Sequence, residues 1–350
     1  MGKALPLQVG KITIIIVYLF EKQAMEFKEI QFEINTEEVF IIQALDIFRY
    51  QYENNVVYHE YVKSRGINPK MVTRLEEIPF LPIEFFKTHR VVCENALPQV
   101  IFKSSGTTGA KRSSHIVSDL SVYRHSLLKG FTHFFGTPEQ YQFLALTPTP
   151  EQESESSLIF MIQQLMDLSL SPENGYFLTN YSGLTARLKQ RRPPGKRIML
   201  IGLTYELLRF AEKHPGDYSP LIVVETGGMK GKRKEITREE LHSLLLPAFG
   251  VDTIYSEYGM TELFSQAWSK GRGLFSTVPW MKIRIRDAND PLSYVGYGQT
   301  GGINIIDLAN QYSCSFIATQ DLGRLHENGQ FEVLGRFADS DVRGCSTMII

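Results

Sequence analysis

Lys103-Ser104-Ser105-Gly106-Thr107-Thr108-Gly109-Ala110-Lys111 is the stretch on which the reading of the fold turns. It follows an apolar run at residues 99–102 with strand character and precedes a helical pattern from about 119 to 133. Gly106 and Gly109 let the main chain turn tightly and expose N–H groups. Ser104, Ser105, Thr107 and Thr108 add hydroxyls, and Lys111 adds a cation. That donor set suits a polyphosphate. The spacing differs from a P-loop NTPase, because only Gly106-x-x-Gly109-x-Lys111 is present. On composition alone the stretch reads equally as a surface loop; the strand before it and its hydroxyl density favour phosphate.

Outward from this loop, apolar runs at 141–146, 197–201, 221–225 and 253–255 read as strands. They alternate with helical patterns at 206–213 and 238–246, which predicts βα units and a mainly parallel sheet. Toward the N-terminus, Asn35 and Glu38 form a capping-box pattern ahead of Val39, Ile42, Leu45 and Phe48. This predicts one helix continuing through Tyr58 and Tyr61 to near Gly66. Toward the C-terminus, residues 282–286, 300–306 and 331–334 read as strands, with Asn328-Gly329 as a hairpin turn.

Three further segments carry chemistry. Tyr255-Ser256-Glu257-Tyr258-Gly259-Met260-Thr261-Glu262 offers a turn at Gly259, a hydroxyl at Thr261 and a hard carboxylate oxygen at Glu262, the donor type Mg²⁺ prefers. Tyr258 is expected to stack on a purine. Asp321-Leu322-Gly323-Arg324, followed by Gly335-Arg336, offers a carboxylate at a turn that can accept hydrogen bonds from ribose hydroxyls. Glu225-Thr226-Gly227-Gly228-Met229 ends a strand with paired glycines, which would let a flat ring approach the main chain.

Composition bounds the rest. The chain has 350 residues, 43% hydrophobic and 21% charged, so most of it is globular. A net charge of −1 argues against a general nucleic-acid binder. Cys93, Cys314 and Cys345 are too scattered for a disulfide framework, and a reducing cytoplasm fits. The apolar run at 12–20 is short of the roughly 20 residues a membrane span needs and reads as a buried strand. Residues 1–24 are left as an N-terminal extension of open role.

In order and spacing, the four segments resemble the adenylate-forming superfamily of acyl-CoA synthetases, luciferases and adenylation domains. SSGTTGAK resembles its phosphate loop, YGMTE its adenine- and magnesium-contacting motif, DLGR its ribose motif and VETGG its adenine-side glycine loop. Within it, the chain resembles the acyl-protein synthetase of bacterial luminescence fatty-acid reductases. That likeness rests on Ile78-Pro79-Phe80-Leu81-Pro82-Ile83-Glu84-Phe85-Phe86-Lys87, on the short chain, and on the tail Asp341-Val342-Arg343-Gly344-Cys345-Ser346. A phenylacetate-CoA ligase-like enzyme is the runner-up, and a non-catalytic scaffold binding nucleotide or acyl groups is the alternative from another class.

The resemblance implies an α/β fold with parallel sheets flanked by helices and a β-rich part from about 281. It places an adenylate-forming domain at 25–336 and a tail at 337–350, with the mobile C-terminal lid of the wider superfamily expected to be absent. ATP and Mg²⁺ are the implied cofactors. The phosphate loop at 104–109 with Lys111 would hold phosphates. Glu262 would hold the metal beside Thr261. Gly227, Gly228, Tyr258, Gly259, Asp321, Arg324 and Arg336 would hold the nucleoside. Cys345 would take the acyl group as a thioester. Lys111, Lys232 and Arg336 are candidates to replace the lid lysine. Phe131, Phe134, Phe135, Leu158, Ile159 and Phe160 are candidates to line an acyl site, and His115 and His133 to approach the carboxylate. The implied partners are a fatty or other carboxylic acid and an acyl-acceptor protein such as an acyl-CoA reductase or acyl carrier protein, with no nucleic acid; an oligomer is left open.

Overall fold

The computed structural model describes residues 32–94, 97–105, 111–190, 195–228 and 236–337. The expectations placed on residues 106–110, on Lys232 and on the tail with Cys345 lie outside these residues.

Helix α1 (Glu37–Asn54) starts at Thr36, whose hydroxyl accepts from Val39 N at 3.3 Å, rather than at Asn35. The single helix expected to reach Gly66 is two, because the chain breaks at Asn55 before α2 (Val56–Ser64). Asn55 Oδ1 caps α2 by accepting from Tyr58 N at 3.1 Å, while its Nδ2 donates to the Ser313 carbonyl at 2.9 Å. One turn earlier, the fully buried Gln51 donates through Nε2 to the carbonyls of Asn310 and Gln311 at 3.0 and 2.9 Å. The N-terminal helices are thus stitched to a loop 258–260 positions away.

From there the elements run β1 (Leu81–Pro82), α3 (Phe85–Thr88), β2 (Val100–Lys103), β3 (Ser114–Val117), α4 (Leu120–Phe135), β4 (Tyr141–Leu146), α5 (Ser157–Ser169), β5 (Gly175–Tyr176), α6 (Tyr181–Lys189), β6 (Arg197–Leu203), α7 (Thr204–Lys213), β7 (Leu221–Thr226), α8 (Arg238–Phe249) and β8 (Ile254–Tyr258). Then come β9 (Ala267–Ser269), β10 (Leu274–Ser276), β11 (Met281–Arg286), β12 (Thr300–Asp307), β13 (Phe316–Leu325) and β14 (Phe331–Arg336). Helices α5 and α6 carry side-chain caps, Ser156 and Asn180, but the sequence patterning did not single them out.

Among the described residues one large sheet runs β11-β12-β13-β14-β10-β9-β8-β7-β6-β4-β5, with β1 beside β13. Strands β5, β4, β6, β7 and β8 are parallel, as the βα alternation predicts. From β8 onward the main path is antiparallel. The parallel part is buried on both faces, so its strands are continuously apolar. On β4, Phe143 and Ala145 join the core containing Phe131 and Leu165, while Leu144 and Leu146 join the one containing Leu184, Leu207 and Leu241. Period-2 alternation explains how one apolar run serves two cores.

Two expectations are corrected. Residues 99–102 do not join the parallel sheet: β2 pairs antiparallel with β3 in a separate two-stranded sheet. The segment 321–324 is not a turn but lies inside the ten-residue strand β13. Its neighbour β14 follows through the expected hairpin, where Gly329 has φ +81° and His326 N donates to Gln330 O at 2.8 Å.

Candidate active site

The carboxyl ends of the parallel neighbours β7 and β8 lie side by side, at the end of an α/β sheet where ligands bind, and beyond β8 the path turns antiparallel. Thr226, Gly227 and Gly228 lie at the end of β7, and Glu257 and Tyr258 at the end of β8. Gly227 and Gly228 have φ of +77° and +60°, so the glycine pair serves backbone conformation. Gly259 serves space: a Cβ there would stand 2.3 Å from Glu257 Oε1. Glu257 is buried and accepts from Thr226 Oγ1 at 2.5 Å, joining the two strand ends.

Tyr258 and Asp321, read separately in the sequence, meet here. The Tyr258 hydroxyl donates to Asp321 Oδ2 at 2.8 Å. Its ring packs edge-on to Phe275 and Phe331 and is 8% exposed, so it lies in the core rather than as an open stacking platform. Burial and the Asp321 charge together hold its hydroxyl well above the usual tyrosine range. On the other carboxylate oxygen, Arg336 Nε donates to Asp321 Oδ1 at 3.2 Å from a side chain 78% exposed. Arg324 turns elsewhere: it pairs with Glu332 at 3.5 Å and reaches Thr300 Oγ1 at 3.4 Å.

Glu262 follows β8 on a tight turn and is 4% exposed. Burial pushes its carboxyl up; a hydrogen bond from Ser113 and the charges of Lys87 and Arg336 pull the other way. Lys87 belongs to α3 and closes the segment 78–87 that carries the family likeness, but the sequence reading assigned it no role. Thr261 turns its carbonyl toward His115, whose Nδ1 lies 2.8 Å away. The turn beyond is held by Asp307, which accepts from Phe264 N and Ser265 N at 2.8 and 3.0 Å and from Ser265 Oγ at 2.6 Å. Among the described residues no group of three or more His, Cys, Asp or Glu could hold a metal ion. A single buried carboxylate would suit Mg²⁺ only as one oxygen donor among others, with the rest supplied by nucleotide phosphates and water.

The flanks of the phosphate stretch are described. Ser104 N donates to Ser113 O at 3.0 Å, and Ser113 N donates to Ser104 Oγ at 2.9 Å, so the two flanks form a closed neck. Ser105 and Lys111 are exposed. Two cations given no role in the sequence reading converge on Glu155: Lys103 Nζ at 2.6 Å and Arg112 Nη1 at 3.5 Å. Arg112 also donates through Nε to Ser104 O. Of the acyl candidates, Phe160 stacks on Tyr123, which in turn meets Phe264 just beyond Glu262. Phe131 and Phe135 instead pack on Trp268. Cys93 and Cys314 are buried free thiols, each pushed up to about 12 by burial.

A parallel sheet that continues as an antiparallel one, with Tyr258 holding Asp321 and a buried Thr261–Glu262 turn beside His115, belongs to an adenylate-forming ligase fold. Solved structures share it. ATP-bound MatB from Rhodopseudomonas palustris matches with a TM-score of 0.52 at 16% identity, over 67% of this chain and 47% of that one. 2-Hydroxyisobutyryl-CoA ligase in its postadenylation state with 2-HIB-AMP matches with a TM-score of 0.64 at 14% identity, over 86% of this chain and 68% of that one. The chain thus spans about half the length of the MatB it matches. No curated protein sequence matches it. The family of acyl-protein synthetase, LuxE, matches residues 13–350, and the chain belongs to that family.

Proposed function

We propose that the protein activates a carboxylic acid, a fatty acid in our reading, with ATP and passes the acyl group to a thiol. A carboxylate oxygen attacks the α-phosphorus, the bond to the β-phosphate oxygen breaks, and pyrophosphate leaves. A thiolate then attacks the acyl carbon and AMP leaves. The observation that carries the nucleotide half is the Tyr258–Asp321 hydrogen bond, which unites two motifs 63 positions apart in one site.

In this reading Asp321 accepts the ribose hydroxyls, the phosphate stretch holds the β- and γ-phosphates, and Glu262 faces the metal ion carried by the nucleotide. That ion would offset charge developing on the phosphates. Lys87 and Arg336, whose charges reach Glu262, are our candidates for the cation that assists adenylation. Cys345 is the proposed acyl acceptor, with coenzyme A or a partner protein as the competing acceptors. Free buried thiols at Cys93 and Cys314 support a reducing cytoplasm, and among the described residues no helix is long and apolar enough to cross a membrane. The test is ATP–pyrophosphate exchange with a panel of carboxylic acids of graded chain length. Acid-dependent exchange is the expected result, and its absence with every acid refutes the reading.

A further inference from the structure

The Thr261–Glu262 turn is gripped from two directions by side chains that no motif accounts for. Ser113 and His115 stand two apart where the chain leaves the phosphate stretch and enters β3, so an extended backbone puts both on one side. The Ser113 hydroxyl lies near enough to the Glu262 carboxylate to favour its charged form. His115 Nδ1 lies 2.8 Å from the Thr261 carbonyl oxygen, and Nε2 lies 3.0 Å from Asn310 Oδ1. Asn310 Nδ2 in turn donates to the Glu262 carbonyl at 2.7 Å and to the Cys314 carbonyl at 2.9 Å. His115 and Asn310 are fully buried, and the Phe86 and Phe264 rings flank the imidazole.

The amide nitrogen of Asn310 is committed to two carbonyls, so its oxygen faces the imidazole. The ring therefore meets an acceptor at each nitrogen, and a neutral ring brings one proton to them. The network spans three segments: the strand after the phosphate stretch, the turn after β8 and the loop after β12. Because Ser113 is also laddered to Ser104, a group bound at Ser104 is separated from Glu262 by one residue's hydrogen bonds.

We propose that Ser113, His115 and Asn310 are positioning residues that lock the Thr261–Glu262 turn to the phosphate-binding segment, holding the Glu262 carboxylate where charge develops at the phosphates. This rests on the activation reading above. A displaced carboxylate loses stabilisation of the transition state more than affinity for the ground state.

The test combines kinetics with an activity-free readout. His115→Ala is expected to lower kcat for ATP–pyrophosphate exchange on the order of 10–100-fold, a range set by the sensitivity of reacting groups to small misplacements. ATP affinity by calorimetry should change by less than about 2-fold, separating chemistry from ground-state binding. His115→Gln keeps a donor and should recover most of the lost kcat. Independently, Ser113→Ala, Glu262→Gln and the double variant are unfolded in urea, with Ser113→Thr as the hydroxyl-retaining control. Non-additive midpoints are expected for groups in contact. Additive midpoints, parallel loss of kcat and ATP affinity, or a Gln variant no better than Ala each overturn the proposal. If the unmodified protein shows no exchange with any acid, the activation reading fails and the urea cycle alone decides whether the lock exists.

Discussion

Asp321→Asn isolates the ribose contact from the fold. The native carboxylate uses Oδ2 to accept from Tyr258 and Oδ1 to accept from Arg336. An asparagine can keep its oxygen toward the buried tyrosine, so the Tyr258 hydroxyl stays satisfied. Its amide nitrogen then faces the open side, where it presents a donor to Arg336 and to any ribose hydroxyl that would itself donate. The lost pairing with Arg336 contributes little to folding, at most about 1 kcal/mol, because that guanidinium is largely in solvent. The lost ribose bond is to a charged acceptor and is worth about 1.5–3 kcal/mol. At 1.4 kcal/mol per decade, ATP should bind roughly 10–100-fold more weakly. Calorimetric titration with ATP, paired with urea unfolding, reads both quantities. An ATP affinity within about 2-fold of the native protein in a variant of native stability would refute the ribose assignment, since the smallest loss consistent with it is near tenfold. Tyr258→Phe is the complementary control: it leaves Asp321 without its buried donor and should cost about 1–3 kcal/mol of stability.

Cys345→Ser should still release pyrophosphate with ATP and acid but no longer carry a hydroxylamine-labile acyl group; persistent labelling on a denaturing gel moves the acceptor to another thiol. Glu155→Gln leaves Lys103 and Arg112 without their shared carboxylate, so pyrophosphate should bind more tightly by calorimetry, while stability changes by less than about 1 kcal/mol because the pairs are half-exposed. Tighter binding that fails to appear removes those two cations from the phosphate site. Burial lowers the His115 imidazole to about 4, so this group stabilises the fold above the unfolded value of 6.5 and loses that contribution as pH falls from there toward 4. Relative to His115→Gln, the native protein should therefore lose about 2 kcal/mol of urea-measured stability between pH 7 and 4.5, and a constant difference across that range would show that the ring is not held neutral.

The parallel half of the sheet was legible because its strands are buried on both faces and read as apolar runs, β4 being the clearest case at Tyr141–Leu146. The break between α1 and α2 was hidden. It depends on what Asn55 meets at Ser313, and hydrophobic periodicity carries no information about a partner so distant. Strand β13 was hidden in part for a different reason: Thr319, Gln320, Asp321, Gly323 and Arg324 give it a polar, glycine-bearing texture that imitates a turn. In the candidate site, residues belonging to recognisable motifs could be named from the sequence, including Tyr258, Glu262 and Asp321. The residues that hold them were missed or left without a role. Ser113, Asn310 and Asp307 are common residue types at unremarkable spacings, and their roles come from contacts across the fold. Glu155 was similarly invisible, because only folding brings it to Lys103 and Arg112.

The stitches from Gln51 and Asn55 to the loop at 310–315 set a schedule for the chain as it is made. Helix α1 emerges early, yet the carbonyls it must meet are synthesised about 260 residues later. At roughly 5–20 residues per second, α1 waits on the order of 15–50 s on the ribosome with Phe40, Ala44 and Phe48 lacking much of their final core. Contacts of such long sequence separation also slow the folding search itself. Released chains ending before residue 310 lack the carbonyls that Gln51 and Asn55 bind, and should therefore aggregate more readily than the full chain.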